Sequence, residues 1–236
     1  MSHPAPHGTT PDAASGVVPS PDPAGDGSRP DRPRVRGVIW DLGNVIVDWD
    51  PFHAIAAGVG EAEARRFLDA DDVDFMAYNH GPDSGDSWDD AEAALELSHP
   101  HWLPHARAYR RHFGHSLLGP VPGTSEIIRE LHAAGIGQWG LTNWSDELYH
   151  PHAPRLFPVL GLLGTVVVSG TEGVAKPEAA AYELAVERAG LPAYDLVFVD
   201  DRASNVEAAI ACGLHGLVFT GADRLRTDLR ALGLPV

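Results

Sequence analysis

The chain has 236 residues, 44% of them hydrophobic, enough to bury one large core or a core domain with a smaller insert. Its formal net charge of −16 argues against a DNA- or RNA-coating surface, which would need a basic face to neutralise phosphates. Cys212 is the only cysteine, so an intramolecular disulfide is excluded, a reducing compartment is expected, and the thiol itself is expected to be inert core.

Residues 1–33 hold eight of the twenty prolines, mixed with Gly, Ser and Asp. Such a segment buries too little surface to offset its ordering entropy, and a disordered tail is expected. No basic segment followed by an apolar run opens the chain. The most apolar stretch, 156–168, is interrupted by Pro158, Gly161 and Gly164 and is too short to span a bilayer. No membrane partner is expected, and the cytoplasm is the expected location.

A short apolar run at Val38–Trp40 predicts a buried strand that closes on Asp41. Residues 51–120 then read as helical, with helices over 61–70, 88–97 and 102–113 and a turn-rich link at Gly81-Pro82-Asp83-Ser84-Gly85-Asp86. A helix is predicted over 124–134, where Ile127, Ile128 and Leu131 share a face and Gly135 stops the pattern, and a strand over 137–141 leads to Thr142-Asn143. Another strand, 165–168, precedes Lys176-Pro177 and a helix over 177–189. The strand at 196–199 leads to Asp200-Asp201, followed by a helix near 203–212 with Val206, Ala209 and Ile210 on one face and a last strand at 216–219. This alternation is that of an α/β protein: a Rossmann-like, doubly wound parallel sheet core formed by 34–50 and 121–236, with a helical cap at 51–120. Ligands of such sheets collect at the carboxyl ends of the strands, where Asp41, Thr142 and Asp200 all fall.

These residue types suit phosphoryl transfer. A carboxylate at Asp41 can attack phosphorus in line and form an aspartyl-phosphate that water later hydrolyses. Thr142 offers a hydroxyl and Asn143 a backbone N–H to a phosphate oxygen, and Lys176 brings positive charge to that oxygen and to the clustered carboxylates. The acidic pair Asp200-Asp201 suits a divalent cation, against the plainer reading in which it caps the helix at 203.

The ordered set Asp41/Gly43/Val45, Thr142, Lys176 and Asp200/Asp201 resembles the haloacid dehalogenase (HAD) superfamily across roughly residues 35–233. The helical insert resembles that superfamily's first type of cap. Within it, the runs DLGNV and LTNWS resemble a branch of sugar-phosphate phosphatases similar to bacterial α-glucose-1-phosphate phosphatase. The resemblance implies a Mg2+-dependent phosphatase of a small phosphorylated metabolite, with Asp41 as nucleophile and with Asp41, the Gly43 carbonyl and Asp201 as metal ligands. Asp200 is then expected to orient Lys176 or support the metal site, and which of the acidic pair meets the metal stays open. Asn205, four residues after Asp201, is expected to hydrogen-bond a metal ligand or else to cap the helix.

Phosphatases of this superfamily commonly carry an aspartate two residues after the nucleophile, as general acid and base, where this chain has Gly43. Either the substrate has a good leaving group, such as an anomeric sugar phosphate, or Asp48 or Asp50 reaches in. Two alternatives stand beside the phosphatase: a 2-haloacid dehalogenase, against which the retained acidic pair argues, and a non-catalytic phosphometabolite-binding protein. Trp49 and Trp144 are candidates for the cleft wall. Arg107, Arg110 and Arg111 are expected on a solvated face, and the thirteen histidines are expected to hold no zinc.

Overall fold

The structure, a computed structural model, describes residues 35–236; the tail expected at 1–33 lies outside the described residues. In chain order the elements are β1 (Gly37–Trp40), β2 (Val47–Trp49), α1 (Pro51–Val59), α2 (Glu61–Leu68), α3 (Phe75–Asp83), α4 (Trp88–Ser98), α5 (Leu103–Arg111) and β3 (Leu117–Pro120). After them come α6 (Thr124–Ala133), β4 (Gly137–Thr142), α7 (Asp146–Leu156), β5 (Val166–Val168), α8 (Ser169–Glu172), α9 (Ala179–Ala189), β6 (Leu196–Asp200), α10 (Ala203–Ala211), β7 (His215–Val218) and α11 (Ala222–Ala231). Among the described residues, no helix is long and apolar enough to cross a membrane.

Five parallel strands form one sheet in the order β5-β4-β1-β6-β7, giving an α/β core of Rossmann type. All four residues of β1 are buried, as a central strand covered on both faces requires. Its side chains alternate: Val38 and Trp40 join the cluster containing Ile127, Ile128 and Leu131 of α6, while Ile39 packs with Leu141, Tyr182 of α9 and Phe198. The indole N–H of Trp40 donates to Gln138 at 3.1 Å, and the Gln138 amide donates to the Ile128 carbonyl at 3.0 Å, so this buried polar side chain is satisfied. The chain leaves β1 in one direction for β4 and β5 and returns on the other side for β6 and β7, which places a topological switch at the carboxyl end of β1.

A second, antiparallel pair, β2 with β3, forms the stem from which the helical segment α1–α5 departs and to which it returns. Two of these helices were not apparent in the sequence. α1 starts at Pro51 with Asp50 accepting from the Phe52 N–H at 2.9 Å, and α3 is capped by Asp74, which accepts from Met76 N and Ala77 N at 2.8 and 3.2 Å. That cap carries the helix through Gly81, Pro82 and Asp83, residues expected in a turn; the turn begins only at Ser84.

Other differences are local. The single helix expected over 102–113 is a 3-10 turn at Pro100–Trp102 followed by α5, because Pro104 lies in the first turn of a new helix. α9 begins at Ala179 because Glu178 N–H bonds back to the Ala175 carbonyl at 2.9 Å, closing a turn around Pro177. Ile210 is 52% exposed, so the buried face of α10 consists of Asn205, Val206 and Ala209. Cys212 closes α10 half-buried instead of in the core, with burial raising its thiol pKa and so disfavouring the thiolate.

Candidate active site

Three strand ends and one loop converge beside the switch point. Asp41 follows β1, Thr142 ends β4, Asp200 ends β6, and Lys176 comes from the loop before α9. All four are buried. Lys176, the only lysine in the sequence, places Nζ 2.7 Å from Asp41 Oδ1 and 2.7 Å from Asp200 Oδ2. Two of its three N–H groups are thus committed to carboxylates, which leaves one for a further acceptor. The same ammonium stands 5.4 Å from the ring centroid of Phe198.

Asn143 fixes the backbone of that lysine. Its side-chain amide donates to the Lys176 carbonyl at 2.8 Å, and the Lys176 N–H donates back to Asn143 Oδ1 at 2.9 Å. The two motifs singled out in the sequence are therefore joined directly, a pairing that sequence reading did not foresee.

The two adjacent aspartates differ in their surroundings. The Asp200 carboxylate accepts from Lys176 Nζ, from Asn205 Nδ2 at 3.1 and 3.0 Å, and from Arg202 N–H at 2.8 Å. It therefore orients the lysine and closes a turn onto Arg202 just before α10, without capping the helix, whose start has no side-chain cap. Asn205 is not the helix cap; Arg202 occupies that position, and Tyr182 Oη donates to the Asn205 carbonyl at 2.8 Å to anchor the segment. Asp201 is only partly buried and faces the cavity.

Oxygen atoms of Asp41, Asp200 and Asp201 come within 4.8 Å of one another, the one such acidic or histidine cluster among the described residues. Burial, and then Asp200 and Asp201 nearby, push the Asp41 carboxyl up to about 7 although Lys176 pulls it down. Burial works against the Lys176 charge, yet Asp41 and Asp200 hold its pKa above the usual lysine value, while burial and Asp200 raise Asp201. Three carboxylates facing one ammonium leave an excess of negative charge, and their hard oxygen donors fit Mg2+. No histidine joins the cluster.

Above these groups lies a cavity of about 410 Å³, whose wall comes from the core and from the helical segment. Trp49 and Trp144 line it as expected. Arg110 is instead engaged with Asp89 at 2.7 Å, Glu92 at 3.3 Å and Glu147 at 2.7 Å, and Arg107 with Glu92 at 2.9 Å. Asp48 is exposed on β2 and Asp50 is used as the cap of α1; neither lines the cavity, so neither stands where Gly43 lacks a carboxylate.

Sequence reading missed Asn79 and Asp83, two α3 residues in the cavity wall with Asn79 Nδ2 donating to Asp83 Oδ2 at 2.7 Å. Their spacing of four was the available signal, hidden because α3 was not recognised. Asp83 also joins the helical segment to the core: Ser169 Oγ donates to its carbonyl, and Ser169 Oγ accepts from Trp144 N–H at 3.0 Å.

Residues 35–213 match the family described as haloacid dehalogenase-like hydrolase. The chain belongs to this family. The HAD-like chain is 24% identical over 200 residues to sesquiterpene phosphatase astK of Aspergillus oryzae, covering 84% of this chain and 96% of that protein. It is 42% identical over 116 residues to flavin mononucleotide hydrolase 1 of Arabidopsis thaliana, covering 49% of this chain and 46% of that protein. Among solved structures, a magnesium complex of a HAD family enzyme from Bacteroides thetaiotaomicron superposes with TM-score 0.64 at 16% identity, over 84% of this chain and 99% of the other, a likeness of fold.

Proposed function

We propose that this HAD-like hydrolase is a Mg2+-dependent phosphatase of a small phosphorylated metabolite. The observation that carries this reading is the sole lysine held between Asp41 and Asp200 with Asp201 alongside. Asp41 attacks phosphorus, forming an aspartyl-phosphate as the P–O bond to the leaving group breaks and its oxygen takes a proton from water; water then attacks the phosphoenzyme, releasing inorganic phosphate and restoring the Asp41 carboxylate. The remaining Lys176 N–H, the Thr142 hydroxyl and the Asn143 backbone N–H bind the phosphate oxygens. Asp41, the Gly43 carbonyl and Asp201 would hold Mg2+, since the Asp200 carboxylate is already engaged by Lys176, Asn205 and Arg202. The ion, when bound, supplies positive charge against the repulsion between nucleophile and phosphate.

The helical segment acts as a cap that confines the substrate and excludes bulk water. The excess of carboxylates favours phosphate-ester chemistry over displacement of halide, which has no use for a cation site. Names of relatives support the same class: a sesquiterpene phosphatase and a flavin mononucleotide hydrolase are both phosphate-ester hydrolases by name.

The test is phosphate release from sugar, nucleotide, flavin and organic-acid monoesters with Mg2+ or with EDTA, beside halide release from 2-haloacids. Mg2+-dependent phosphate release lost in Asp41→Asn is the expected result; metal-independent halide release, or no turnover of any substrate, overturns it.

A further inference from the structure

The basic side chains that line the cavity are Lys176, Arg202 and His80, and they differ in what they hold. Lys176 is buried and tied to Asp41 and Asp200. Arg202, the residue after Asp201, is exposed. Its backbone N–H bonds Asp200 Oδ1 at 2.8 Å, but its guanidinium has no hydrogen-bonded or ionic partner among the described residues. With 33 acidic residues to 17 basic ones, a cation here has carboxylates in excess to choose from, and Arg107 and Arg110 of α5 are both held by them.

His80 comes from α3. Met76, Ala77 and His80 are all exposed and all line the cavity, so this face of the helix is turned to the cavity opening. Ser84 Oγ lies 3.4 Å from His80 Nε2, which leaves Nδ1 without a partner among the described residues. The charge of Arg202 acts on Asp201 of the core and on Asp83 of α3, drawing both carboxyls down against the burial that raises them, yet it bridges to neither. The guanidinium therefore stands within electrostatic reach of both the core and the helix that carries His80.

Exposure separates this pair from the reacting centre. Lys176 and Thr142, assigned to the transferred phosphate, are 3% and 2% exposed, whereas Arg202 and His80 lie at the open end of the same cavity. A cavity of about 410 Å³ holds a small molecule larger than a phosphate group, so the body of a substrate seated on the buried groups extends toward the exposed ones.

We propose that Arg202 and His80 form a subsite for a second, singly charged anionic group on the substrate, of which a carboxylate is the simplest. The guanidinium keeps its charge and offers a planar fork of N–H donors, and His80 adds one ring N–H. One guanidinium balances one negative charge, whereas a second dianion would leave an excess beside Asp201. This rests on the phosphatase reading for the place of the transferred phosphate.

The experiment uses phosphate monoesters of hydroxyalkanoic acids of graded chain length, each paired with its carboxamide. The readout is the ratio of kcat/KM within each pair, with Mg2+, together with the ratio of calorimetric affinities in an Asp41→Asn background, so a general loss of activity cancels. The subsite predicts a preference of about tenfold for the carboxylate at the best chain length, lost almost entirely in Arg202→Met and in Arg202→Gln and reduced about threefold in His80→Leu. Equal use of every pair by the parent overturns the subsite while leaving the phosphatase in place. A preference that survives substitution of either residue does the same, including the case in which Arg202→Met slows both members of a pair alike, which would put Arg202 on the transferred phosphate. Arg202-dependent selective binding without hydrolysis of any ester supports the subsite and overturns the phosphatase, and absence of both binding and hydrolysis overturns the two together.

Discussion

The side chain of Asn143 holds the backbone of Lys176 through two hydrogen bonds, donating at 2.8 Å and accepting at 2.9 Å. The lysine that neutralises Asp41 and Asp200 thus has its main chain set by the loop after β4, so its position does not rest on its own flexible stem. Asn143→Ala removes both bonds and leaves two backbone groups without that partner. Stability is expected to fall by about 1–3 kcal/mol and kcat by about 10- to 100-fold, because a small displacement of a charged group from reacting oxygens is costly. Urea unfolding and steady-state kinetics on the same preparation check both effects.

Lys176→Met strips the only ammonium from a buried group of carboxylates. Removing one partner of a buried ionic network leaves uncompensated charge, and a loss of about 3–5 kcal/mol is expected, with turnover reduced about a thousandfold. A divalent cation that binds the folded site stabilises it by mass action, so added Mg2+ should raise the melting temperature of the variant toward that of the parent. Thermal melts with Mg2+ and with EDTA measure this; a melting temperature unchanged by the substitution would show that the lysine does not balance the cluster.

The sheet was legible in the sequence because each strand is a short apolar run bounded by turn signals, and because Asp41, Thr142 and Asp200 fall at its strand ends. The helical segment was less legible. α3 contains Gly81 and Pro82, residues that ordinarily end helices, and only the cap at Asp74 and the packing of Phe75 against Phe67 and Tyr109 reveal why it forms. Ile210 was misplaced by an error of phase, since Val206 and Ala209 turn inward while Ile210 lies about 100° further round the helix. What no pattern could supply was the Asn143–Lys176 clasp, which joins residues 33 apart in the chain.

Gly43 offers a direct gain-of-function test. A Cβ built there meets no atom within 4 Å, and the residue is not among the glycines with positive φ, so a side chain is sterically tolerated. Gly43→Asp is expected to change stability by no more than about 0.5 kcal/mol. If the chemical step lacks an acid at this position, the variant should raise turnover of alkyl phosphates by about 10- to 100-fold and of nitrophenyl phosphate far less, since a good leaving group needs little protonation. A plot of log kcat against leaving-group pKa, flatter in the variant, is the expected outcome, and parallel slopes would show that protonation is already supplied.

Asp83 makes stability depend on pH in a direction opposite to that of most carboxylates. Burial, opposed by the Ser145 backbone N–H and by Arg202, raises its carboxyl from 3.8 to about 7. The folded chain then binds this proton more tightly than the unfolded chain. The contribution to stability is fully present below the unfolded pKa near 3.8 and is lost as pH rises through about 7. Asparagine at this position cannot titrate but still offers an oxygen to Ser145. Relative to the parent, Asp83→Asn should therefore gain about 2 kcal/mol between pH 4 and pH 8, a figure reduced for the partial exposure of the carboxyl to the cavity. Asp41 titrates in both proteins, so its effect cancels in the difference. Urea unfolding of the two at one-unit pH steps, in EDTA throughout, gives the curve directly: a difference that rises to a plateau above pH 7 is expected, and a flat one would mean that Asp83 stays ionised in the folded chain.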